Sequence, residues 1–517
     1  MSIKKLNIYT NCMRWGKNLL VRGYDADGNR IHEKVEFSPT VYIKADPSES
    51  TTPFTSTPYK TLNKEPLVAI TGMDMKRAKE FIQGNLPGDV FGMDRFEYQW
   101  TSKKSPGQSG EHSIGFIDIE TECEDGFPDI DTANEEINLI TIRVGDNKVT
   151  IGTTKHGTMA ERDDPNHKII NCDGEDELIT AFLEEWKSLD PDIITGWNVN
   201  LFDLPYLYNR IKARQGTKVA NKMSPWGIVT PRQVMINGRQ QTSYIFYGLS
   251  ILDYYDLYRK FTYVQLSSYK LDYVAFVELG QKKLSYAEHD TIHSFYKKDW
   301  AKFVDYNIKD VDIVFDLEES LQFITLALQA AYDANANPHD VFSQVRIWDL
   351  LIYQHLKYVE DAQPVSRVDV PDSTGEQYAG AYVKEPVPGI YDWIVTFDVA
   401  SMYPNAIRYL NISPETVVDD KEEVCPALRY LCEQSPEENI NVMIDDADIG
   451  ENIRKNAELA NVCVSPTGDM FDKTATGFLP EMMRCMFDVR KKMKALSDEA
   501  GAEADVIHVE MKKRGLV

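Results

Sequence analysis

Acidic side chains in three separate segments suggest what chemistry this chain performs. In the segment FIDIETE, Asp118 and Glu120 are two residues apart, and on a β-strand this spacing places both carboxylates on one face. The isoleucine before each acid favours a strand inside a sheet, where an unpaired carboxylate is costly. A solvated strand edge is the alternative, and this segment alone leaves both interpretations open.

A third acid, Asp203, occurs in a strongly apolar frame. It lies between Phe202 and Leu204, just before Pro205. Such a frame is unusual for a surface residue, which favours a buried functional acid. A helix N-cap is a second interpretation, because proline is common in the first turn of a helix, and the two are compatible.

The fourth acid belongs to the segment YNIKD. Tyr306 and Asp310 are four residues apart, so they share one face of a predicted helix, with a phenol one turn from a carboxylate. Three other acids of this helix are alternatives to Asp310, and a merely solvated Asp310 is another: Asp305, Asp312 and Asp316.

Four carboxylates brought together require a counter-charge. Each pair would repel by about 4 kcal/mol at about 4 Å and an effective dielectric constant of about 20, so the cluster is stable only when protonated or bound to cations. Oxygen ligands without His or Cys favour Mg²⁺ or Mn²⁺. Two such ions can activate a water and stabilise the leaving oxygen of a phosphodiester, which predicts a nuclease.

Length and composition indicate several folded domains. The 517 residues exceed what one core accommodates, and 43% hydrophobic with 26% charged residues is typical of globular proteins. The net charge of −25 excludes a protein that coats nucleic acid by charge alone, so any DNA contact must be local. Seven scattered cysteines and no long apolar run predict a reduced, soluble protein without a membrane span.

Turn residues and hydrophobic periods predict the elements that position the acids. Residues 6–42 alternate around the turn DADGN, which predicts a hairpin in a small β-rich domain. After residue 113, a strand, a helix over 176–189, a second strand and a helix over 204–215 predict an α/β domain. A helical pattern over 305–331 closes it. A further NG turn, Asn237–Gly238, predicts another hairpin.

A third region follows. IVTFDVASMYPNAIRYL predicts a buried strand, a tight turn and a helix, residues 419–458 are strongly acidic, and the chain from Leu479 onward predicts one long amphipathic helix. Five residues of that helix recur at spacings of four and three and form one apolar stripe: Met482, Met486, Val489, Met493 and Leu496.

The ordered motifs resemble a known family. D-x-E at Asp118, N-x-x-x-F-D ending at Asp203, and Y-x-x-x-D at Tyr306 are similar to the three-part signature of DEDDy 3′–5′ proofreading exonucleases. YAGAYVKEP at 378–386 and FDVASMYPNAI at 397–407 resemble motifs of family B DNA polymerases, with Met402 in place of Leu. The sequence between the motifs is most similar to the replicative polymerases of T-even-like bacteriophages, over almost the whole chain.

The resemblance implies a role for each matching exonuclease residue. The exonuclease metals would be held by Asp118, Glu120, Asp203 and Asp310, and Tyr306 would orient the attacking water. In the polymerase part, Asp398 and the backbone carbonyl of Val399 would hold the metals, while Ser401 and Met402 would line the triphosphate site. A helix cap after a buried strand is the alternative for Asp398.

The remaining polymerase residues would contact sugar, template and phosphate. Tyr403 would stack under the sugar and exclude a 2′-hydroxyl, and Tyr378 with Gly380 would contact the template strand. The resemblance places the family's triphosphate-binding pair on Arg490 and Lys494, which are four residues apart and so share the helical face that phosphate binding requires. A solvated basic face is the alternative for Arg490.

The same resemblance implies a multidomain α/β and α+β fold. It divides into a small β-rich N-terminal domain at 1–105, completed by about 332–370, and an RNase H-like DEDDy exonuclease domain at 106–331. A partial polymerase palm at 371–476 and the first part of the helical fingers at 477–517 follow.

The chain departs from the family in its polymerase motifs. K-x-x-x-N-S-x-Y-G of the fingers and D-T-D-S of the palm do not occur, and Asp398 alone is too few carboxylates to fix two metals. We therefore expect polymerisation to require a second chain that supplies the rest of the fingers, palm and thumb. A truncated product is the alternative.

The expected function is that of the N-terminal part of a replicative DNA polymerase with a complete proofreading exonuclease. Expected cofactors are two Mg²⁺ or Mn²⁺ per site, with deoxynucleoside triphosphates as substrate. Expected partners are a C-terminal polymerase chain, primer-template and single-stranded DNA, and replisome proteins such as a sliding clamp and single-strand binding protein. The expected location is the bacterial host cytoplasm, if the chain is phage-encoded. A stand-alone exonuclease and a non-catalytic assembly subunit are the alternatives.

Overall fold

A computed structural model describes nine ranges of the chain: 6–45, 58–103, 112–122, 126–236, 238–281, 292–367, 385–418, 447–465 and 468–513. Two compact units contain them. The first spans Met1–Ile43, Ala69–Gln354 and Val365–Arg367, and the second spans Lys44–Val68, His355–Pro364 and Val368–Val517. Among the helices of these nine ranges, none combines the length and apolarity that crossing a membrane requires.

Strands are concentrated in the first half of the chain. They are β1 (Leu6–Trp15), β2 (Asn18–Asp25), β3 (Arg30–Glu36), β4 (Val41–Lys44), β5 (Leu67–Ile70), β6 (Val90–Phe91), β7 (Ile114–Thr121), β8 (Ile137–Val144), β9 (Asn147–Thr153), β10 (His167–Cys172), β11 (Ile193–Thr195), β12 (Val229–Ile236), β13 (Arg239–Phe246), β14 (Ser250–Ile251), β15 (Val462–Val464) and β16 (Met470–Asp472).

Helices follow the strands of the first unit and dominate the later chain. They are α1 (Met75–Gly84), α2 (Phe96–Thr101), α3 (Glu175–Leu189), α4 (Asp203–Gln215), α5 (Thr217–Ala220), α6 (Tyr254–Phe261), α7 (Leu271–Leu279), α8 (Ile292–Lys298), α9 (Trp300–Leu321), α10 (Phe323–Asp333), α11 (Gln344–Tyr358), α12 (Met402–Leu410), α13 (Ala447–Leu459) and α14 (Phe478–Lys513). Short 3-10 helices cover Asn221–Met223, Pro338–Phe342 and Pro414–Thr416.

Two predicted hairpins are confirmed. β1, β2 and β3 form an antiparallel sheet in which Tyr24 pairs with Arg30 across the DADGN turn. Asp25 closes this turn, since its carboxylate accepts the backbone N–H groups of Asp27 and Asn29. β12 and β13 pair antiparallel along their whole length, around an NG turn whose Asn237 lies outside the described residues.

A six-stranded mixed sheet in the order β10-β9-β8-β7-β11-β14 forms the centre of the first unit and confirms the predicted α/β alternation. β7 is an interior strand, antiparallel to β8 and parallel to β11. Ile117 and Ile119 on one face of β7 join the core formed with α3 and α4. Phe116, on the other face, belongs to the core that contains Val311 of α9. The acids of β7 therefore point to the α9 side.

The prediction of one helix over 305–331 is wrong. α9 ends at Leu321 and α10 begins at Phe323, because Gln322 adopts the left-handed conformation at φ 53°. The carboxylate of Glu318 then accepts the N–H groups of Ile324 at 2.9 Å and Thr325 at 3.2 Å. These bonds satisfy donors at the start of α10, and a hydrophobic period does not detect such a break.

In the second unit, the predicted buried strand IVTF is also wrong. Residues 385–400 form no regular strand, and Ile394 and Phe397 are 76% and 93% exposed. A strand needs a hydrogen-bonded neighbour, and within the described residues no strand pairs with this segment. The predicted terminal helix is confirmed as α14, on which α12 packs with the Arg408 guanidinium 5.3 Å from the Phe487 ring centroid. Of the acidic stretch, residues 419–446 lie outside the described ranges.

Candidate active site

Strand β7 displays its two acids as the alternation of side chains predicts. Asp118 and Glu120 are half-buried on one face, while Ile117 and Ile119 are fully buried on the other. Pairing with β8 and β11 on both sides fixes the strand. The alternative of a solvated strand edge is therefore wrong.

Helix α9 contributes a side chain that the sequence analysis missed. The amide Nδ2 of Asn307 donates a hydrogen bond to Asp118 Oδ2 at 2.6 Å. Asn307 is fully buried, so it holds the carboxylate in one orientation. Its position between Tyr306 and Asp310 was the only available signal, and a lone asparagine on a helix does not by itself indicate a partner 189 positions away.

Asp203 is not an N-cap, contrary to the second interpretation of its sequence context. α4 begins at Asp203, and the cap residue is Phe202, which makes no side-chain capping bond. The Asp203 carboxylate instead accepts the backbone N–H of Ile119 at 3.1 Å. This bond joins the start of α4 to β7, directly beside Asp118.

Burial and charge both act on Asp203. Burial raises the pKa of Asp203 well above the ordinary value, and the neighbouring charge of Asp310 raises it further, although the N–H of Ile119 opposes both effects. The two acids are 3% and 6% exposed. A proton or a cation between the two carboxylates would reduce their mutual repulsion.

The structure distinguishes Asp310 from the other acids of α9. Asp310 lines a cleft of about 2440 Å³ together with Asp118 and Tyr306. The three aspartates that were alternatives to Asp310 are engaged elsewhere: Asp305 pairs with Arg162 at 2.7 Å, Asp312 pairs with Arg143 at 3.0 Å and with Lys148, and Asp316 accepts a hydrogen bond from Gln281 at 3.1 Å. Glu120 and Asp203 lie beside the cleft but are absent from its lining.

A loop held by a second buried acid leads into α4. Asp253 accepts the backbone N–H groups of Asn198 at 3.0 Å and Asn200 at 2.8 Å, and burial raises its pKa to about 8. Gly196 opens this loop, where a Cβ would lie 2.3 Å from Val199 and 2.5 Å from the Ile117 carbonyl oxygen. The loop therefore cannot accept a side chain at Gly196, and Asp253 fixes the approach to Asp203.

The acids suit hard divalent cations by their chemistry, because all four are oxygen donors and two of them share a buried, mutually repelling environment. Across the described residues, however, no three His, Cys, Asp or Glu side chains lie close enough to one another to hold a metal ion.

The predicted polymerase residues lie in the second unit. Asp398 and Val399 are exposed, and Ser401 precedes α12 with a left-handed φ of 52°. Because the preceding segment is not a strand, the interpretation of Asp398 as a cap after a buried strand loses its basis. Met402 and Tyr403, in the first turn of α12, are 53% and 75% exposed.

Arg490 and Lys494 are exposed on α14, four residues apart. Arg484, the preceding arginine of α14, pairs with Glu481 and Asp488 of its own helix. Tyr378 and Gly380 lie outside the described residues.

Comparison with known proteins identifies two regions. Residues 98–274 match the model of the DNA polymerase family B exonuclease domain, and residues 342–511 match that of DNA polymerase family B. The chain is similar to the DNA-directed DNA polymerases of Escherichia phage RB69, at 28% identity over 96% of this chain, and Enterobacteria phage T4, at 27% over 95%. The DNA polymerase catalytic subunit of Alcelaphine herpesvirus 1 is 28% identical over 60% of this chain and 31% of its own length.

The chain spans about half the length of the two phage relatives, 55% and 54% respectively. Both family models nevertheless match it, one on each side of α10. The acid-lined cleft lies in the unit that contains the exonuclease match. The chain therefore belongs to the family B DNA polymerases that carry an exonuclease domain.

Proposed function

We propose that the first unit is a 3′–5′ exonuclease of the DEDDy type, with an RNase H-like fold, that digests single-stranded DNA. The observation that carries the proposal is the meeting of Asp118, Tyr306 and Asp310 in one cleft. These residues come from a central strand and from a helix almost 190 positions later, so their meeting is a property of the fold.

In the proposed reaction, the oxygen of a water molecule attacks the phosphorus of the terminal phosphodiester. The bond from phosphorus to the 3′-oxygen of the preceding nucleotide breaks, the water gives up a proton, and the 3′-oxygen takes one up. The products are a nucleoside 5′-monophosphate and a strand shorter by one nucleotide. The hydroxyl of Tyr306, in the same cleft as Asp118 and Asp310, would orient the water.

Two Mg²⁺ or Mn²⁺ ions would be held by Asp118, Glu120, Asp203 and Asp310. Such ions, when bound, supply activation of the water and stabilisation of the leaving oxygen. Asn307 would keep the Asp118 carboxylate turned toward this set, since its amide holds one carboxylate oxygen at 2.6 Å. The high pKa of Asp203 would fall as a cation replaced the proton.

Two isosteric variants of α9 test the proposal. Asp310→Asn should slow digestion of single-stranded DNA on the order of a thousandfold, which corresponds to about 4 kcal/mol of lost transition-state stabilisation. Asp305→Asn is the matched control, because Asp305 lies on the same helix but pairs with Arg162. Similar rates for the two variants would contradict the assignment of Asp310.

We further propose that the second unit holds part of a polymerase palm and fingers. Asp398 and the Val399 carbonyl would hold metal, Ser401 and Met402 would line the triphosphate site, and Tyr403 would stack under the sugar. Arg490 and Lys494 would bind the triphosphate of the incoming nucleotide, which is supported by their exposure on one helix. Tyr378 and Gly380 would contact the template strand of a primer-template DNA.

In this proposal, synthesis requires a second polypeptide that covers the apolar stripe of α14. Met482 is buried, but Met486, Val489, Met493 and Leu496 are 37%, 61%, 59% and 50% exposed. Exposed apolar surface of this kind favours association. A sliding clamp and single-strand binding protein would be further partners.

Primer extension tests this second proposal. The chain alone should not extend a primed template, whereas addition of a polypeptide carrying the remaining palm and fingers motifs should restore extension. Met486→Asp combined with Met493→Asp should abolish that restoration and spare digestion of single strands. Extension by the chain alone, or normal restoration with the double variant, would contradict it. Digestion without restored synthesis would favour a stand-alone exonuclease, and neither activity would favour an assembly subunit.

A further inference from the structure

The cleft has a second wall that the acid site does not use, formed by α6, α7 and the segment between them. We propose that this wall binds unpaired DNA through stacking on Tyr255, Tyr269 and Tyr273 and through the charge of Arg259. The inference rests on the proposed exonuclease function, because it takes DNA as the ligand of the cleft. We call these four residues the α6–α7 wall.

Arg259 and two tyrosines form a fixed aromatic and cationic group. The Arg259 guanidinium carbon lies 5.5 Å from the Tyr255 ring centroid and 5.6 Å from that of Tyr269. Its Nη1 donates a hydrogen bond to the Tyr255 hydroxyl at 3.3 Å. The two rings meet edge to face at 6.4 Å, and Trp197 packs edge to face on Tyr255 at 5.7 Å. These contacts hold the group in place before any ligand binds.

The wall is accessible from the cleft. All four of its residues belong to the cleft lining, Arg259 is exposed, and Tyr273 on α7 is 36% exposed. Aromatic faces of this kind stack on nucleobases irrespective of sequence, and arginine adds a cation–π contribution. An unpaired strand suits such a surface because its bases are free to turn outward, whereas duplex bases are not.

Local charge supports an anionic ligand here despite the chain's net charge of −25. The lining of α6, α7 and their connection contains three cations, Arg259, Lys260 and Lys270, against two carboxylates, Asp256 and Asp272. The excess of one positive charge suits contact with about one phosphate and does not provide attraction at long range. Stacking would therefore supply most of the affinity.

Binding of 5′-labelled oligonucleotides without divalent cations tests the wall in the full chain. For the wild-type protein, affinity for single strands should rise as length increases from about 3 to about 15 nucleotides, because longer strands reach beyond the acids. Arg259→Gln should weaken binding of the long strands about 5- to 100-fold and reduce the salt dependence by about 0.7 in logarithmic slope. Tyr273→Ala should also weaken binding of the long strands.

Arg77→Gln is the matched control, because it removes the same charge from α1, outside the cleft lining. Two substrates identify the bound strand. If Arg259→Gln weakens binding of free single strands only, the wall binds the strand being digested. If it weakens binding of a duplex with a 5′ overhang only, the wall binds a second strand. Either result supports the proposal. Equal affinities of the Arg259→Gln and Arg77→Gln proteins for both substrates, with unchanged thermal unfolding, would overturn it. If the wild-type protein binds these strands but does not digest them after Mg²⁺ is added, the exonuclease proposal alone is contradicted.

Discussion

Asn307 of α9 donates its side-chain N–H to the Asp118 carboxylate of β7, with 2.6 Å between Nδ2 and Oδ2. This bond connects the strand that carries two of the acids to the helix that carries Tyr306 and Asp310. The geometry of the cleft therefore depends on a neutral side chain as well as on the acids themselves.

Replacement of Asn307 should disturb both stability and activity. Asn307→Ala leaves the Asp118 carboxylate without this buried donor, and we expect a loss of about 1.5–3 kcal/mol in the free energy of unfolding. Digestion of single strands should slow at least about tenfold, because Asp118 loses its fixed orientation. Asn307→Asp should lower both stability and digestion rate further at neutral pH, since it places a second carboxylate against Asp118. An Asp variant as active as wild type would contradict the role of Asn307 as a donor.

Asp253 should control the loop that leads into Asp203. Its side chain accepts N–H groups from Asn198, Asn200 and Tyr255 at 2.8–3.1 Å. Asp253→Ala should lower the free energy of unfolding by about 2–4 kcal/mol and slow digestion. Asp253→Asn retains one oxygen acceptor and should be milder in both respects, as measured by urea unfolding and by digestion rate. Normal digestion by Asp253→Ala would show that the loop does not need the hydrogen bonds to Asp253.

The tip of the β12–β13 hairpin should matter for duplex ends only. Strand β13 contacts the loop before α4, where Gln241 Nε2 donates to the Leu201 carbonyl at 2.7 Å and Ser243 Oγ donates to Asn200 Oδ1 at 2.9 Å. Shortening within 235–240 removes neither of these two donor residues. We expect normal digestion of single strands and slower digestion of duplex ends, because the hairpin would help to separate the strands. If shortening slows digestion of single strands and of duplex ends equally, the segment has only a structural role.

Acid should destabilise the first unit through His167. Burial, together with the nearby positive charges of Lys148 and Arg162, lowers the pKa of His167 to about 4. In the unfolded chain this histidine takes up a proton near pH 6.5, whereas in the folded protein it stays neutral down to about pH 4. The free energy of unfolding should therefore fall by up to about 3 kcal/mol as the pH is lowered from about 6.5 to about 4. His167→Gln should flatten this dependence in thermal unfolding between pH 7 and pH 4. An unchanged dependence would contradict the neutral, buried state of His167.

Local sequence patterns predicted the elements better than the contacts between them. Turn residues revealed both hairpins, and the spacing of Asp118 and Glu120 predicted their shared face. The break at Gln322 was missed because the Glu318 carboxylate that caps α10 belongs to the preceding helix. The apolar composition of the segment IVTF predicts a buried strand. Whether it becomes a strand depends on a hydrogen-bonded neighbouring strand, which the composition of the segment does not reveal. Asn307 and Asp253 act through residues that are 189 and 55 positions away, so no spacing rule could reveal them.

The most direct measurement is digestion of a 5′-labelled single strand by the purified chain, with and without added Mg²⁺. A 3′–5′ exonuclease should shorten the strand stepwise from its 3′ end and should require Mg²⁺. Asp118→Ala removes one of the four acids and should lower the rate on the order of a thousandfold. Digestion that proceeds equally well in Asp118→Ala, or that starts at the 5′ end, would contradict the central claim.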